Sequence, residues 1–289
     1  MPRPRKSLGQ HFLRDLSFVR RIVEAAEIAP GDTVVEIGPG RGALSRRLAE
    51  VSPRLVLVEL DASLADRLRE TFADRPTVTV ITADAREFDP DTVAELTGRP
   101  YRVVGNLPYY AAAPIVRRFL ELPRKPEMLV VMVQREVAQG MAARPGDMGL
   151  LSVGVQVYAE PRIVCHVPPG AFAPPPKVHS SVVALKVRPR PAVAVEPLET
   201  FFDLVRAGFA APRKTLSNSL SVGLRVPAST LAPVLESTGI DPRRRPSTLS
   251  IPEWEALCVA WRLAGSPGRN AREEPDTAGE PHVVERPAG

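Results

Sequence analysis

The sequence predicts an α/β protein: a doubly wound, Rossmann-like sheet domain followed by a small all-helical C-terminal domain. Three observations predict it. Short apolar, β-branched runs alternate with helically spaced segments through the first two thirds of the chain. A glycine-rich turn closes the first of those runs. Past Pro168-Pro169 the chain becomes proline-rich and then purely helical in pattern.

Thr33-Val-Val-Glu-Ile37 is the first strand, and residues 43–50 follow with helical spacing. Leu55-Val-Leu-Val58 is the second strand, with a helix over 63–72, and Val78-Thr-Val-Ile81 is the third. Tyr101-Arg-Val-Val104 is the fourth, with a helix over 114–122, and residues 128–133 make the fifth. These runs are continuous rather than alternating, as expected when helices cover both faces of a parallel sheet. Ala171-Phe-Ala-Pro-Pro-Pro-Lys177 excludes helix and central strand, because proline lacks the backbone donor. Residues 179–187 alternate like a strand, and Arg188-Pro-Arg-Pro191 reads as a linker. From 198 to 263 the pattern is helical, broken near Pro212, Pro227, Asp241-Pro242 and Ile251-Pro252. Residues 266–289 are rich in Pro, Gly and charge, and are expected to be disordered. The expected division is a sheet domain over 1–190, a helical domain over 191–265 and a tail over 266–289.

The chain has 289 residues, 44% of them hydrophobic, enough for one large core and one small one. Cys165 and Cys258 sit in apolar contexts and read as reduced core residues, with no metal site. No apolar run reaches membrane-spanning length, and the basic start Met1-Pro-Arg-Pro-Arg-Lys6 lacks the apolar stretch of a secretory signal. The expectation is a cytoplasmic protein with no membrane partner, monomeric by default. Formal net charge is +5, and the acidic tail conceals a body of +7 over 1–265. A basic body fits a polyanion partner and fits a merely soluble basic enzyme equally well.

Chemistry concentrates at the ends of the strands. Val35-Glu-Ile-Gly38-Pro-Gly40-Arg-Gly42 joins the first strand to the first helix, and its glycines permit a tight turn and close approach of a ligand. Glu59 ends the second strand about 20 residues on, where a carboxylate meets a ribose diol. Asp84 follows the third strand, placed to accept from an adenine amine. A dinucleotide reading wants G-x-G-x-x-G, whereas here the spacing is G-x-G-x-G, and Glu36 beside the loop would repel a pyrophosphate. A cofactor carrying an ammonium and a sulfonium, S-adenosylmethionine, suits it better. A lone glycine loop is often only a turn, but three such features end three successive strands.

The fourth strand runs into Gly105-Asn106-Leu107-Pro108-Tyr109, in the crevice where ligands bind an open parallel sheet. The exocyclic nitrogen of adenine is a poor nucleophile, its lone pair delocalised into the ring. The Asn106 side-chain oxygen and the Leu107 carbonyl, in a turn fixed by Pro108, can accept from its two hydrogens and favour a pyramidal nitrogen. Tyr109 offers a face for a base to stack on, worth about 1–3 kcal/mol. The same tetrapeptide taken alone is an ordinary turn with a core tyrosine. Phe172 reads as a loop anchor or a second stacking face.

Together, Ser7-Leu-Gly-Gln-His-Phe-Leu13, Glu36-Ile-Gly-Pro-Gly40, Val58-Glu-Leu-Asp61, Ala83-Asp-Ala85, Gly105-Asn-Leu-Pro-Tyr109, Phe172-Ala-Pro-Pro-Pro-Lys-Val178 and Arg213-Lys-Thr-Leu-Ser-Asn-Ser-Leu220 resemble the ribosomal RNA small-subunit adenine dimethyltransferases. The likeness covers about residues 7–264. It implies a Rossmann-like class I methyltransferase domain, and N6,N6-dimethylation of two adjacent adenosines in the 3′-terminal hairpin of 16S rRNA within the immature 30S subunit. By motif, His11, Leu13, Gly38, Gly40, Glu59, Asp84 and Asn106 would hold S-adenosylmethionine, and Tyr109 and Phe172 would sandwich the adenine. Two departures stand out. His11 replaces an asparagine common in the family, and Tyr110-Ala-Ala-Ala-Pro114 replaces a more polar continuation. Arg213 and Lys214, with Arg243, Arg244 and Arg245, are candidates to track RNA phosphates, against the alternative of a solvated charged face. Two other functions share parts of this pattern: a 23S rRNA adenine methyltransferase of the antibiotic-resistance type, and a non-catalytic RNA-binding assembly or transcription factor.

Overall fold

A computed structural model of the protein describes residues 11–266 except 94, 95 and 97. Its elements are β1 (Phe12–Leu13), α1 (Leu16–Ala25), β2 (Thr33–Ile37), α2 (Ala43–Val51), β3 (Arg54–Glu59), α3 (Ala62–Thr71), β4 (Val78–Thr82), β5 (Tyr101–Asn106), α4 (Ala112–Glu121), β6 (Met128–Gln134), α5 (Arg135–Met141), α6 (Leu150–Gln156), β7 (Ala159–Val167), β8 (Phe172–Ala173), β9 (Ser180–Val187), α7 (Leu198–Gly208), α8 (Leu216–Leu224), α9 (Ala228–Ser237) and α10 (Ile251–Leu263).

Seven strands form one sheet in the order β4-β3-β2-β5-β6-β9-β7. The five from β4 to β6 are parallel, and the apolar runs of β2, β3, β5 and β6 are buried by helices on both sides, while β4 at the edge is half-buried. The parallel sheet expected from the sequence is thus a mixed one, because β9 runs antiparallel to β6 and β7 antiparallel to β9. β7 has no clear sequence signal. It is an edge strand with alternating exposure and carries Pro161, which an edge tolerates.

Strand order reverses between β2 and β5, which places a crevice at their carboxyl ends. There Ile37 lies opposite Gly105. A Cβ on Gly105 would stand 2.7 Å from the Ile37 carbonyl oxygen, so only glycine lets β2 and β5 close on each other at this point. A separate two-stranded pairing, Phe12 with Ala173 and Leu13 with Phe172, ties the amino-terminal motif to the proline-rich stretch.

The helices α7–α10 surround fully buried Trp254. One apolar cluster runs without a break from the sheet face through Tyr158 and Phe201 to Trp254 and Trp261. Pro252 does not break a helix but opens one: it sits in the first turn of α10, where Ser250 and Glu253 form a reciprocal cap. Cys165 and Cys258 are buried and unpaired to each other. Among the described residues, no helix is long and apolar enough to cross a membrane. The tail expected to be disordered lies, beyond Ser266, outside the described residues, as do Arg3, Arg5 and Lys6.

Candidate active site

A cleft of about 470 Å³ opens over the β2–β5 switch point. His11, Leu13, Gly38, Gly40, Glu59, Asp84 and Asn106 all line it, with Leu107, Pro108 and Tyr109. Five segments far apart in sequence therefore meet because four parallel strands end side by side and the β1–β8 pairing folds residues 11–13 over them.

The loop after β2 is built on left-handed backbone at Gly38 (φ +66°) and Gly40 (φ +58°). The Gly38 amide donates to the Val58 carbonyl at 2.9 Å, and the Gly40 amide donates to Glu59 Oε2 at 2.9 Å. Phe12 packs so tightly here that a Cβ on Gly40 would sit 3.0 Å from its ring, and the Arg41 guanidinium lies over that ring, 4.4 Å from its centroid. Glu59 Oε1 accepts from the Asp61 amide at 3.0 Å. The Gly40 and Asp61 amides thus take one site on each Glu59 oxygen, the Leu60 amide also acts on the carboxylate, and lone-pair capacity remains for a hydroxyl. Burial raises the Glu59 carboxyl above its ordinary pKa, and these amides pull it partly back.

Glu36 is the most costly residue of the site. It is 2% exposed within β2, and its pKa is pushed up to about 8, chiefly by desolvation. The nearby Ser45 hydroxyl opposes the shift and the Glu59 charge adds to it. Glu36 Oε2 and Ser45 Oγ are both buried without a hydrogen-bond partner. An unpaired buried carboxyl oxygen lining a cleft fits a cationic ligand group, and the ammonium of S-adenosylmethionine is such a group.

Asp84 is held by its near neighbour. Arg86 Nε lies 3.1 and 3.0 Å from the two carboxylate oxygens, and this guanidinium keeps the Asp84 pKa below its ordinary value. Any ligand donor that reaches Asp84 must share these oxygens with Arg86, a constraint that strand spacing does not reveal.

The Asn106 side chain is fixed by chemistry. Its Nδ2 donates to the His11 carbonyl at 2.9 Å. A carbonyl only accepts, so the amide cannot be reversed, and Oδ1 is left for a donor entering the cleft. The Leu107 amide donates to the Met132 carbonyl at 3.1 Å, anchoring the turn to β6. Among the described residues no group donates to the Leu107 carbonyl. Tyr109 is tied by its hydroxyl to fully buried Ser180 Oγ at 2.7 Å. The His11 ring lies beside it, centroids 5.8 Å apart, with His11 Nδ1 2.9 Å from the Pro174 carbonyl.

Two predicted site residues lie in packed settings. Phe172 is 4% exposed and packs in the apolar cluster of Leu13, Val19 and Ile22, the setting of a loop anchor, while its neighbour Ala173 lines the cleft. The second ring beside Tyr109 belongs to His11. Arg244 is not a free phosphate contact: it is half-buried in an ion pair with Glu253 and donates to the Thr248 carbonyl at 2.7 Å. That pair holds the Glu253 carboxyl down to about 2. Arg213, Lys214 and Arg245 are exposed, and Arg243 is exposed beside Asp241. Arg213 and Lys214 precede α8, whose cap is Thr215.

Residues 1–256 match the family described as Ribosomal RNA adenine dimethylase. The chain is 44% identical over 266 residues to a protein of Dehalococcoides mccartyi (strain CBDB1) named Ribosomal RNA small subunit methyltransferase A, covering 91% of this chain and 89% of that one. Among solved structures, the 23S rRNA methyltransferase ErmE superposes with a TM-score of 0.70 at 30% identity, over 86% of this chain and 98% of that one. A dimethyladenosine transferase from Plasmodium falciparum superposes with a TM-score of 0.77 at 22% identity, over 88% and 98%, a likeness of fold.

Proposed function

Because this chain belongs to the ribosomal RNA adenine dimethylase family, we propose that it transfers two methyl groups from S-adenosylmethionine to N6 of each of two adjacent adenosines near the 3′ end of 16S rRNA. The proposal extends to its setting: a cytoplasmic monomer acting on the immature 30S subunit. S-adenosylmethionine, when bound, supplies a methyl group already activated on a sulfonium. What remains for the protein is to hold, orient and exclude water.

In this reading Glu36 meets the cofactor's ammonium, the Gly38–Gly40 backbone lies against its methionine part, and Glu59 accepts from the ribose hydroxyls. Asp84 meets the cofactor's adenine, and His11 and Leu13 cover the cleft. Asn106 Oδ1 and the Leu107 carbonyl accept from the two hydrogens of the target amine, which withdraws its lone pair from the ring. Tyr109, stiffened by Ser180, carries the target base. Asn106 needs no charge for this, and a neutral amide avoids repelling a polyanion. Residues 191–265 form the RNA-docking part, with Arg213, Lys214, Arg243 and Arg245 on its exposed surface.

The observation that carries the proposal is the fixed Asn106 amide, its Nδ2 committed to the His11 carbonyl, in a cleft also lined by the glycine loop. Incubation of undermethylated small subunits with labelled S-adenosylmethionine is expected to yield dimethyladenosine at two adjacent positions; a cofactor-binding protein that labels no subunit refutes it. The 30% identity to a 23S rRNA methyltransferase makes large-subunit RNA the competing substrate. Parallel incubation with naked 23S RNA separates the two, and label there alone reverses the assignment.

A further inference from the structure

Tyr110 follows directly on the tyrosine assigned to the target base, yet it does the opposite. Tyr109 turns inward to Ser180, while Tyr110 is 58% exposed. Among the described residues it is the only aromatic among the large apolar side chains left exposed, and it lines the cleft. Neither the core nor the hydrogen bonding of the described residues accounts for it. Arg86, half-exposed and paired with Asp84, lines the same cleft. An exposed ring lining a cleft suits an unstacked nucleic-acid strand, because it gives a stacking face that any base can use.

A base drawn out of its stack uncovers one face of its neighbour, and that loss must be made up. Tyr109 and Tyr110 are successive residues, their Cα atoms about 3.8 Å apart, so a strand seated on the first passes the second. We propose that Tyr110 is the stacking platform for the nucleotide next to the adenosine being methylated. The inference rests on the RNA adenine methyltransferase reading above. With two adjacent target adenosines, each adenine is in turn target and neighbour, so one platform serves both reactions.

The test compares wild type, Y110A, Y110L and Y110W on undermethylated small subunits carrying either adenine or uracil beside one remaining target adenosine. Uracil stacks less well than adenine. With an adenine neighbour, Y110A and Y110L are expected to lower kcat/KM roughly 5- to 100-fold, the factor a lost base–aromatic stack gives, and Y110W to stay within about twofold. With a uracil neighbour the wild type is expected to fall toward Y110A, so the two changes are not additive. Binding of S-adenosylhomocysteine, read by calorimetry, is expected to be unchanged in every variant, and Y110L keeps the bulk if Y110A fails to fold. Equal loss in Y110A on both neighbours, or full activity of Y110A and Y110L, overturns the inference. A wild type inactive on both subunits, while still binding cofactor, refutes the underlying function and the inference with it.

Discussion

Binding of S-adenosylmethionine at about pH 6.5 is expected to release close to one proton, and Glu36→Gln to abolish that release. With its carboxyl pushed up to about 8, Glu36 enters the reaction neutral. At about pH 6.5 roughly 0.9 or more of the molecules hold that proton, while the cofactor's amine, near the α-amino value of about 7.7–8.0, is already charged. An ammonium docked on the orphaned Oε2 favours the carboxylate, so the proton must leave. Calorimetry at fixed pH in buffers of different ionisation enthalpy reads the release directly as a slope. The sign for affinity follows: below about pH 8 each unit of acidification weakens apparent binding by up to about tenfold. Stability follows too. The unfolded carboxyl loses its proton near 4.5 and the folded one near 8, so the cofactor-free protein loses stability as pH rises through that window. Glu36→Gln removes the slope and makes the cofactor-free protein more stable than wild type above about pH 8, while binding cofactor less tightly. A wild type that releases no proton, or a variant that releases as many, refutes the assignment of Glu36 to the ammonium.

Asn106→Ala removes both the acceptor and the tie to the His11 carbonyl; kcat is expected to fall about 10²- to 10³-fold in single-turnover methyl transfer, with thermal unfolding little changed. Gly105→Ala sets a Cβ against the Ile37 carbonyl at 2.7 Å, forcing β2 and β5 apart; a loss of about 1–3 kcal/mol in denaturant unfolding and weakened cofactor binding are expected together. Arg213→Ala is expected to lower the salt dependence of RNA binding by about one charge and leave Tm unchanged. Arg244→Ala is expected to do the reverse, costing about 1 kcal/mol or less, because its partners are Glu253 and Thr248. The Glu253 carboxyl, held down to about 2, adds stability at neutral pH that is lost as pH falls from the ordinary carboxylate range toward that value, and Arg244→Ala flattens this acid limb.

How far the residues announce the structure depends on whether their partners are near in sequence. β2 to β6 are legible because each is a short run rich in Val, Ile or Leu, and helically spaced segments follow β2, β3 and β5. β7 is not, since an edge strand with exposed positions and Pro161 carries no strong period. The glycine loop and the carboxylates at the strand ends are legible because parallel strands place their C-termini together whatever the side chains. Ser180 on Tyr109 depends on long-range pairing, and Arg86 on Asp84 and Glu253 on Arg244 on side-chain directions, which no spacing encodes. Phe172 shows the same limit from the other side. Its motif marks the residue, but the pairing of β8 with β1 decides that it faces the core. Glu36 carried a usable signal, a carboxylate inside an otherwise apolar strand, and its burial gives that signal its force.

The claim at the centre is that a neutral amide and a backbone carbonyl hold a purine amine in the cleft over the β2–β5 switch. A crystal structure with S-adenosylhomocysteine and an adenosine-bearing RNA fragment measures it. Asn106 Oδ1 and the Leu107 oxygen are expected within about 3 Å of the target N6, on the side facing the cofactor's sulfur. A base seated elsewhere, with Asn106 Oδ1 bonded to the protein instead, contradicts the account.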